Sequence, residues 1–185
     1  MKIILDNGHG GMINGEYQTK GKRGYHKSTG NFYEGEYNRI VVNKLIELLD
    51  EDNIPYHNLV TEQEDISLYN RVLREHKVYE KGDLLLSIHC DAFSKESANG
   101  FTTFSYNTIS KVSRELNKTY SSVNTEIRNR GCKTANFYML RKTKSKAVLI
   151  ECGFMTNEKD CNYLLDNIDK VVEGIYKCIK KTINI

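Results

Sequence analysis

A chain of 185 residues with 39% hydrophobic content can build one domain with a sizeable core. Its formal net charge of +3 is too small to argue for a nucleic-acid binder, although it would not oppose an anionic surface. No apolar run approaches the roughly 20 residues of a bilayer-spanning helix, which excludes membrane insertion through a helix.

In chain order, Lys2-Ile3-Ile4-Leu5 predicts a strand that runs into Asp6-Asn7-Gly8-His9-Gly10-Gly11. The glycines let backbone come close to whatever His9 binds. Residues 12 to 35 are rich in Gly, Asn, Lys and Tyr without periodicity. That predicts a long loop, a length uncommon unless functional. Its basic stretch Lys20 to Gly24 reads either as a solvated loop or as a substrate-contacting rim. From Glu36 to Asp52, Tyr37, Ile40, Val41, Leu45, Leu48 and Leu49 fall at helical spacing with one buried face.

Ile54 to Val60 predicts a second strand, with Pro55 at its start. Asp65 or Ser67 can cap a helix that reaches His76. Leu84 to Ile88 is nearly unbroken apolar sequence ending in His89-Cys90-Asp91, as expected of a strand buried on both faces of a parallel sheet. Gly100 to Tyr106 alternates as a strand does, and Ile109 to Ile127 predicts a helix. Cys132 to Leu140 is expected to add an irregular strand centred on Asn136 to Leu140. Ala147 to Ile150 forms another apolar run, which delivers Glu151-Cys152-Gly153-Phe154. Asn157 to Asp160 opens a short helix, and Ile168 to Ile179 marks a final amphipathic one. Strands alternating with helices predict an α/β fold in one domain over residues 1–185.

Open α/β sheets carry their chemistry beyond the carboxyl ends of their strands. Three short strands bring His9, His89 and Glu151 to that edge, and Glu34 precedes a helix whose N-terminus lies on the same side. Two histidines and one glutamate can meet there as a His-Glu-His zinc site, leaving the other glutamate as a base. Imidazole and carboxylate suit Zn2+. Glu151 follows apolar residues, so it either pairs with Lys146 or Arg141 or has a raised pKa and works as a general base. His26, His57 and His76 read as hydrogen-bonded structural groups.

Five cysteines, Cys90, Cys132, Cys152, Cys161 and Cys178, form no Cys-x-x-Cys pair, and reduced thiols are expected. Cys90 and Cys152 adjoin key residues, which makes a cysteine hydrolase a rival; strand alternation turns them to the opposite face. The amino terminus goes straight into a strand, so no signal peptide is expected. Synthesis in the cytoplasm is expected, with release or export to reach any outside substrate.

Asp6-x-Gly8-His9-Gly10-Gly11, Ser87-Ile88-His89 and Glu151-x-Gly153-Phe154-x-Thr156-Asn157 resemble the three hallmark blocks of zinc-dependent N-acetylmuramoyl-L-alanine amidases of the Amidase_3 type, found in autolysins and phage endolysins. Glu34-Gly35-Glu36-Tyr37-Asn38 resembles the segment that carries the family's ligand glutamate, four residues before an Asn. The resemblance implies a mixed, mostly parallel sheet flanked by helices on both faces. It implies His9, Glu34 and His89 as zinc ligands and Glu151 as the catalytic base. The Asn38 spacing favours Glu34 over Glu36. Arg71 resembles the family's helix arginine, read as structural. Asn7 stands where the family often has Pro, an exchange read as chemically neutral. The implied partner is peptidoglycan, cut between N-acetylmuramic acid and L-alanine, in a groove walled by residues 12–33 and 93–99. A zinc peptidase acting on the stem peptide and a non-catalytic wall-binding module are the alternatives. No wall-binding domain is read in the sequence, and the oligomeric state is not legible in it.

Overall fold

A computed structural model of the chain describes residues 1–183. The first strand, β1 (Ile3–Asn7), is buried along its whole length. The stretch that follows departs from the expected irregular loop. It folds as two small antiparallel hairpins, β2 (Met12–Ile13) with β3 (Glu16–Tyr17) and β4 (Arg23–His26) with β5 (Gly30–Tyr33). Asn14, Gly15 and Gly30 adopt the positive φ values that such tight turns need. The strands have two to four residues, too short for alternation to show in the sequence.

Helix α1 (Glu34–Glu51) buries Tyr37, Val41, Val42, Leu45 and Leu49. Ile40, placed on the core face by its spacing, is 46% exposed instead. The short edge strand β6 (Tyr56–Asn58) follows Pro55. Helix α2 (Leu68–Val78) is capped by Ser67, whose hydroxyl accepts from Asn70 N at 3.3 Å. Then come β7 (Leu84–Asp91), β8 (Phe101–Ser105) and α3 (Lys111–Val123).

The strand expected around Asn136 to Leu140 lies earlier, as β9 (Asn129–Thr134); Tyr138–Lys142 is instead a short helix, α4. Its Met139 and Leu140 are both buried, as adjacent positions on a one-and-a-half-turn helix can be. The last elements are β10 (Lys146–Phe154), α5 (Glu158–Asp166), capped by Asn157, and α6 (Ile168–Ile183).

The main sheet has the order β6-β1-β7-β10-β8-β9. Neighbours from β6 to β10 are parallel, β8 is antiparallel to β10, and β9 is parallel to β8. This is the mixed, mostly parallel α/β sheet that the resemblance implies. One face packs Ile3, Leu5, Leu84, Leu86, Ile88, Val148 and Ile150 against α1, α3, α5 and α6. The other packs Ile4 and Leu85 against Val72 of α2 and Met139 of α4. Each fully buried Leu or Ile contributes about 1.5–3 kcal/mol, so the two-sided strands hold the sheet rigidly. No helix among the described residues is long and apolar enough to cross a membrane.

Candidate metal centre

Parallel pairing of β7 and β10 sets Glu151 directly beside His89. Period-2 alternation then puts both side chains on the α2 and α4 face, while Cys90 and Cys152 point into the opposite core. Both thiols are buried, and burial raises their pKa well above the ordinary value, so neither is a thiolate nucleophile. All five cysteines are free.

His9 leaves the end of β1 at φ 71°, in the left-handed region, which turns its ring back toward β7. Its ring stands edge-on to His89, with centroids 5.1 Å apart. Gly8 is required here: a Cβ on it would lie 2.1 Å from the His89 ring. Glu34 enters from the first turn of α1. Tyr33 gives no side-chain cap, and the hairpins satisfy the exposed helix donors: Glu34 N donates to Lys22 O at 3.1 Å and Gly35 N to Tyr17 Oη at 2.8 Å. Gly35 admits the His9 turn, because a Cβ there would meet Gly10 O at 1.9 Å. Asn38, one turn on, donates to Gly8 O at 3.1 Å, which gives the Glu-to-Asn spacing a physical reason.

The structure therefore brings His9, Glu34 and His89 together, with one donor atom from each lying within 4.8 Å of the others. Glu34 Oε1 lies 3.1 Å from His89 Nδ1 and 3.4 Å from His9 Nε2, and it accepts from Cys90 N at 3.1 Å. Its Oε2 is buried without a partner. Glu36 is not in the cluster; its Oε1 accepts from Met12 N at 2.6 Å.

Burial alone would raise the Glu34 carboxyl, but the hydrogen bond and charge of His89, the charge of His9 and the Cys90 N–H together bring it below the ordinary value. Burial lowers His9 to about 4 against the pull of Glu34, which keeps the imidazole neutral. Glu151 behaves oppositely. Burial, then the charges of Glu34 and Asp91, push its carboxyl well above the ordinary value, only partly offset by Lys22. The residue is half-buried, yet its Oε2 is sealed without a partner, and it makes no ion pair with Lys146 or Arg141.

Beneath the site lies a set of contacts that sequence spacing does not show. Arg71, 2% exposed, donates to Asp6 Oδ1 and Asp65 Oδ1, each at 3.3 Å, and Ser87 Oγ donates to Asp6 Oδ2 at 2.6 Å. The cleft above holds about 220 Å3. Lys22 from the hairpin stretch lines it, as expected of that wall, but residues 93–99 do not. The other wall is apolar: Leu68 from α2, then Phe137, Tyr138 and Met139 around α4. His26 and His76 reach the backbone carbonyls of Met155 and Lys142, as structural histidines do.

The sequence profile of the family N-acetylmuramoyl-L-alanine amidase, Amidase_3, matches residues 3–181. The chain belongs to this amidase family. The "probable cell wall amidase LytH" of Staphylococcus aureus is 29% identical over 171 residues, 92% of this chain and 53% of the relative. The amidase-family chain thus spans about half the length of the curated relatives it matches. Among solved structures, an N-acetylmuramoyl-L-alanine amidase from Clostridium difficile 630 superposes with a TM-score of 0.84 at 26% identity, covering 99% of this chain and 96% of that one. The catalytic domain of CwlV from Bacillus (Paenibacillus) polymyxa var. colistinus shares the fold, with a TM-score of 0.81 at 23% identity over 100% and 99% of the two chains.

Proposed function

We propose that this amidase-family chain hydrolyses the amide between N-acetylmuramic acid and L-alanine in peptidoglycan, with His9, Glu34 and His89 holding Zn2+ and Glu151 as general base. The observation that carries the reading is the convergence of two imidazoles and one carboxylate on a common point, with Glu151 at the pairing position beside His89. The donor set fits the metal. Both histidine rings sit against a carboxylate held ionised, His9 is neutral, and Glu34 Oε2 has no other partner. Two histidines and one glutamate, with a position left open, make a zinc-hydrolase donor set.

Bound Zn2+ supplies Lewis acidity that polarises a carbonyl and acidifies water. The chain's own groups do the rest. The His9 turn and the α1 N-terminus orient the donors. The Glu151 carboxylate, made more basic by its surroundings, takes a proton from attacking water and passes it to the departing L-alanine amine. Leu68, Phe137, Tyr138 and Met139 give the substrate an apolar wall and exclude water from one side of the scissile bond.

Purified protein should contain close to one zinc per chain. It should release L-alanine amines from walls without releasing reducing sugar, and lose that activity on chelation. Cleavage elsewhere in the stem peptide would instead establish the zinc-peptidase reading. Binding to walls without lysis would establish a binding module.

A further inference from the structure

Among the described residues, Lys22 is the only cation that lines the metal cleft. The proton transfers of hydrolysis make no use of it. Its neighbours in the basic stretch, Lys20 and Arg23, do not line the cleft. The Lys22 side chain is exposed and forms no ion pair with any described residue. Its backbone, by contrast, is fixed. The Lys22 carbonyl accepts from Glu34 N at 3.1 Å, and β4 begins at the next residue, where Arg23 pairs with Tyr33. The chain thus holds this residue beside the cluster while leaving its ammonium without a partner.

Lys22 is not spent on the protein's own charges. Its charge acts on both His9 and Glu151, which places it near both. Yet burial and the charges of Glu34 and Asp91 raise the Glu151 carboxyl in spite of it, so it does not serve to keep that group ionised. Charge balance points outward too. Glu34 and ionised Glu151 offset a bound divalent ion, and the Lys22 ammonium then leaves the cleft with one positive charge. Apolar Leu68, Phe137 and Tyr138 line the same space, where low polarity strengthens the pull on an anion.

The chemistry of the scissile amide decides which side supplies that anion. Under the amidase reading, on which this step rests, muramic acid gives its carboxyl to the bond that is cut, so the sugar side brings no free carboxylate. The peptide side does. A second stem residue joined through its γ-carboxyl keeps a separate α-carboxyl, either free or amidated. It lies one residue past the L-alanine, and extended chain advances only about 3.6 Å per residue. We infer that Lys22 is a specificity residue that pairs with a free α-carboxylate on the second residue of the stem peptide, so that this chain favours acidic stems over amidated ones.

The test is calorimetric titration of the metal-loaded protein with two product peptides, L-alanyl-γ-D-glutamyl-L-lysine and its isoglutamine counterpart, both amidated at the C-terminus. The carboxylate form should bind about tenfold more tightly, the scale of one charge-assisted hydrogen bond. Lys22→Met should erase this advantage, while Lys22→Arg and Arg23→Met should keep it. With the same peptides attached to the disaccharide, the amidated substrate should show a KM about tenfold higher at similar kcat. No saturable binding, equal affinities in the native protein, a preference that survives in folded Lys22→Met, or one lost in Arg23→Met would each overturn the inference. So would an equal fall in kcat for both substrates in Lys22→Met, which would make Lys22 part of the chemistry. The native comparison needs no variant to fold. Amine release from walls is measured on the same sample. Amine release without a carboxylate preference overturns the inference alone; a preference without amine release overturns the amidase reading alone.

Discussion

Glu34 and Glu151 show how two surroundings push one residue type in opposite directions. Glu34 is deeply buried but meets two imidazoles and an amide N–H, which keep it ionised. Glu151 is crowded by burial and by neighbouring negative charge, which makes it a stronger base. Glu151→Gln should therefore lower turnover by about 10²–10⁴, the usual contribution of general acid–base catalysis, while metal analysis still finds the ion bound. A variant with wild-type rates would remove Glu151 from the mechanism. His9 makes a pH prediction for the metal-free protein. An unfolded histidine protonates near 6.5, but His9 in the fold resists until about 4. Between those values the unfolded chain binds the extra proton, so stability falls as pH drops from 6.5 to 4, by roughly 3 kcal/mol at most. Glu151, with its raised pKa, acts with the opposite sign. The measurement is therefore the stability difference between native protein and His9→Gln across this window, in which the Glu151 contribution cancels. A flat difference would mean that His9 titrates as an ordinary histidine.

At the scale of elements, α2 is tied to the end of β1 by the buried Arg71–Asp6 pair, with Ser87 of β7 completing the contact. Removing one partner of a buried pair strands the other charge. Arg71→Met should cost about 3–5 kcal/mol in denaturant unfolding, and adding Asp6→Asn should recover part of that loss. Additive losses would show that the two charges are not coupled. The hairpin stretch is a second example. Its Lys22 carbonyl and Tyr17 hydroxyl complete the first turn of α1, and Thr19 Oγ1 accepts from Gly10 N at 2.7 Å. The stretch therefore holds the His9–Glu34–His89 cluster in place as well as walling the cleft. None of this is legible in residues 12–33, because partners in two- and four-residue strands are set by turn geometry and not by an apolar pattern. The α4 segment is illegible in the sequence for a related reason: five residues are too few to distinguish a 3.6 period from a 2.0 period.

For the whole molecule, an ion held by His9, Glu34 and His89 would tie three segments that are distant in the chain: the end of β1, the start of α1 and the end of β7. An ion that binds only the folded state at a hundredfold excess over its dissociation constant adds about 2.7 kcal/mol. In a domain of this size that corresponds to roughly 5–10 °C in Tm. Chelation should lower the melting temperature by about this amount and abolish wall hydrolysis, with zinc restoring both. An unchanged Tm on verified metal removal would mean that the three groups do not share an ion.

Short apolar runs ending in His9, His89 and Glu151 were legible in the sequence because a strand buried on both faces must be apolar throughout, and its first polar residue then marks the sheet edge. Local order alone therefore determined the α/β class and four candidate residues. Strand order, the antiparallel β8 and the small hairpins that complete the first turn of α1 were decided only in three dimensions. Each depends on which segments become neighbours, and that follows from packing across the sheet, to which residues far apart in the chain contribute jointly.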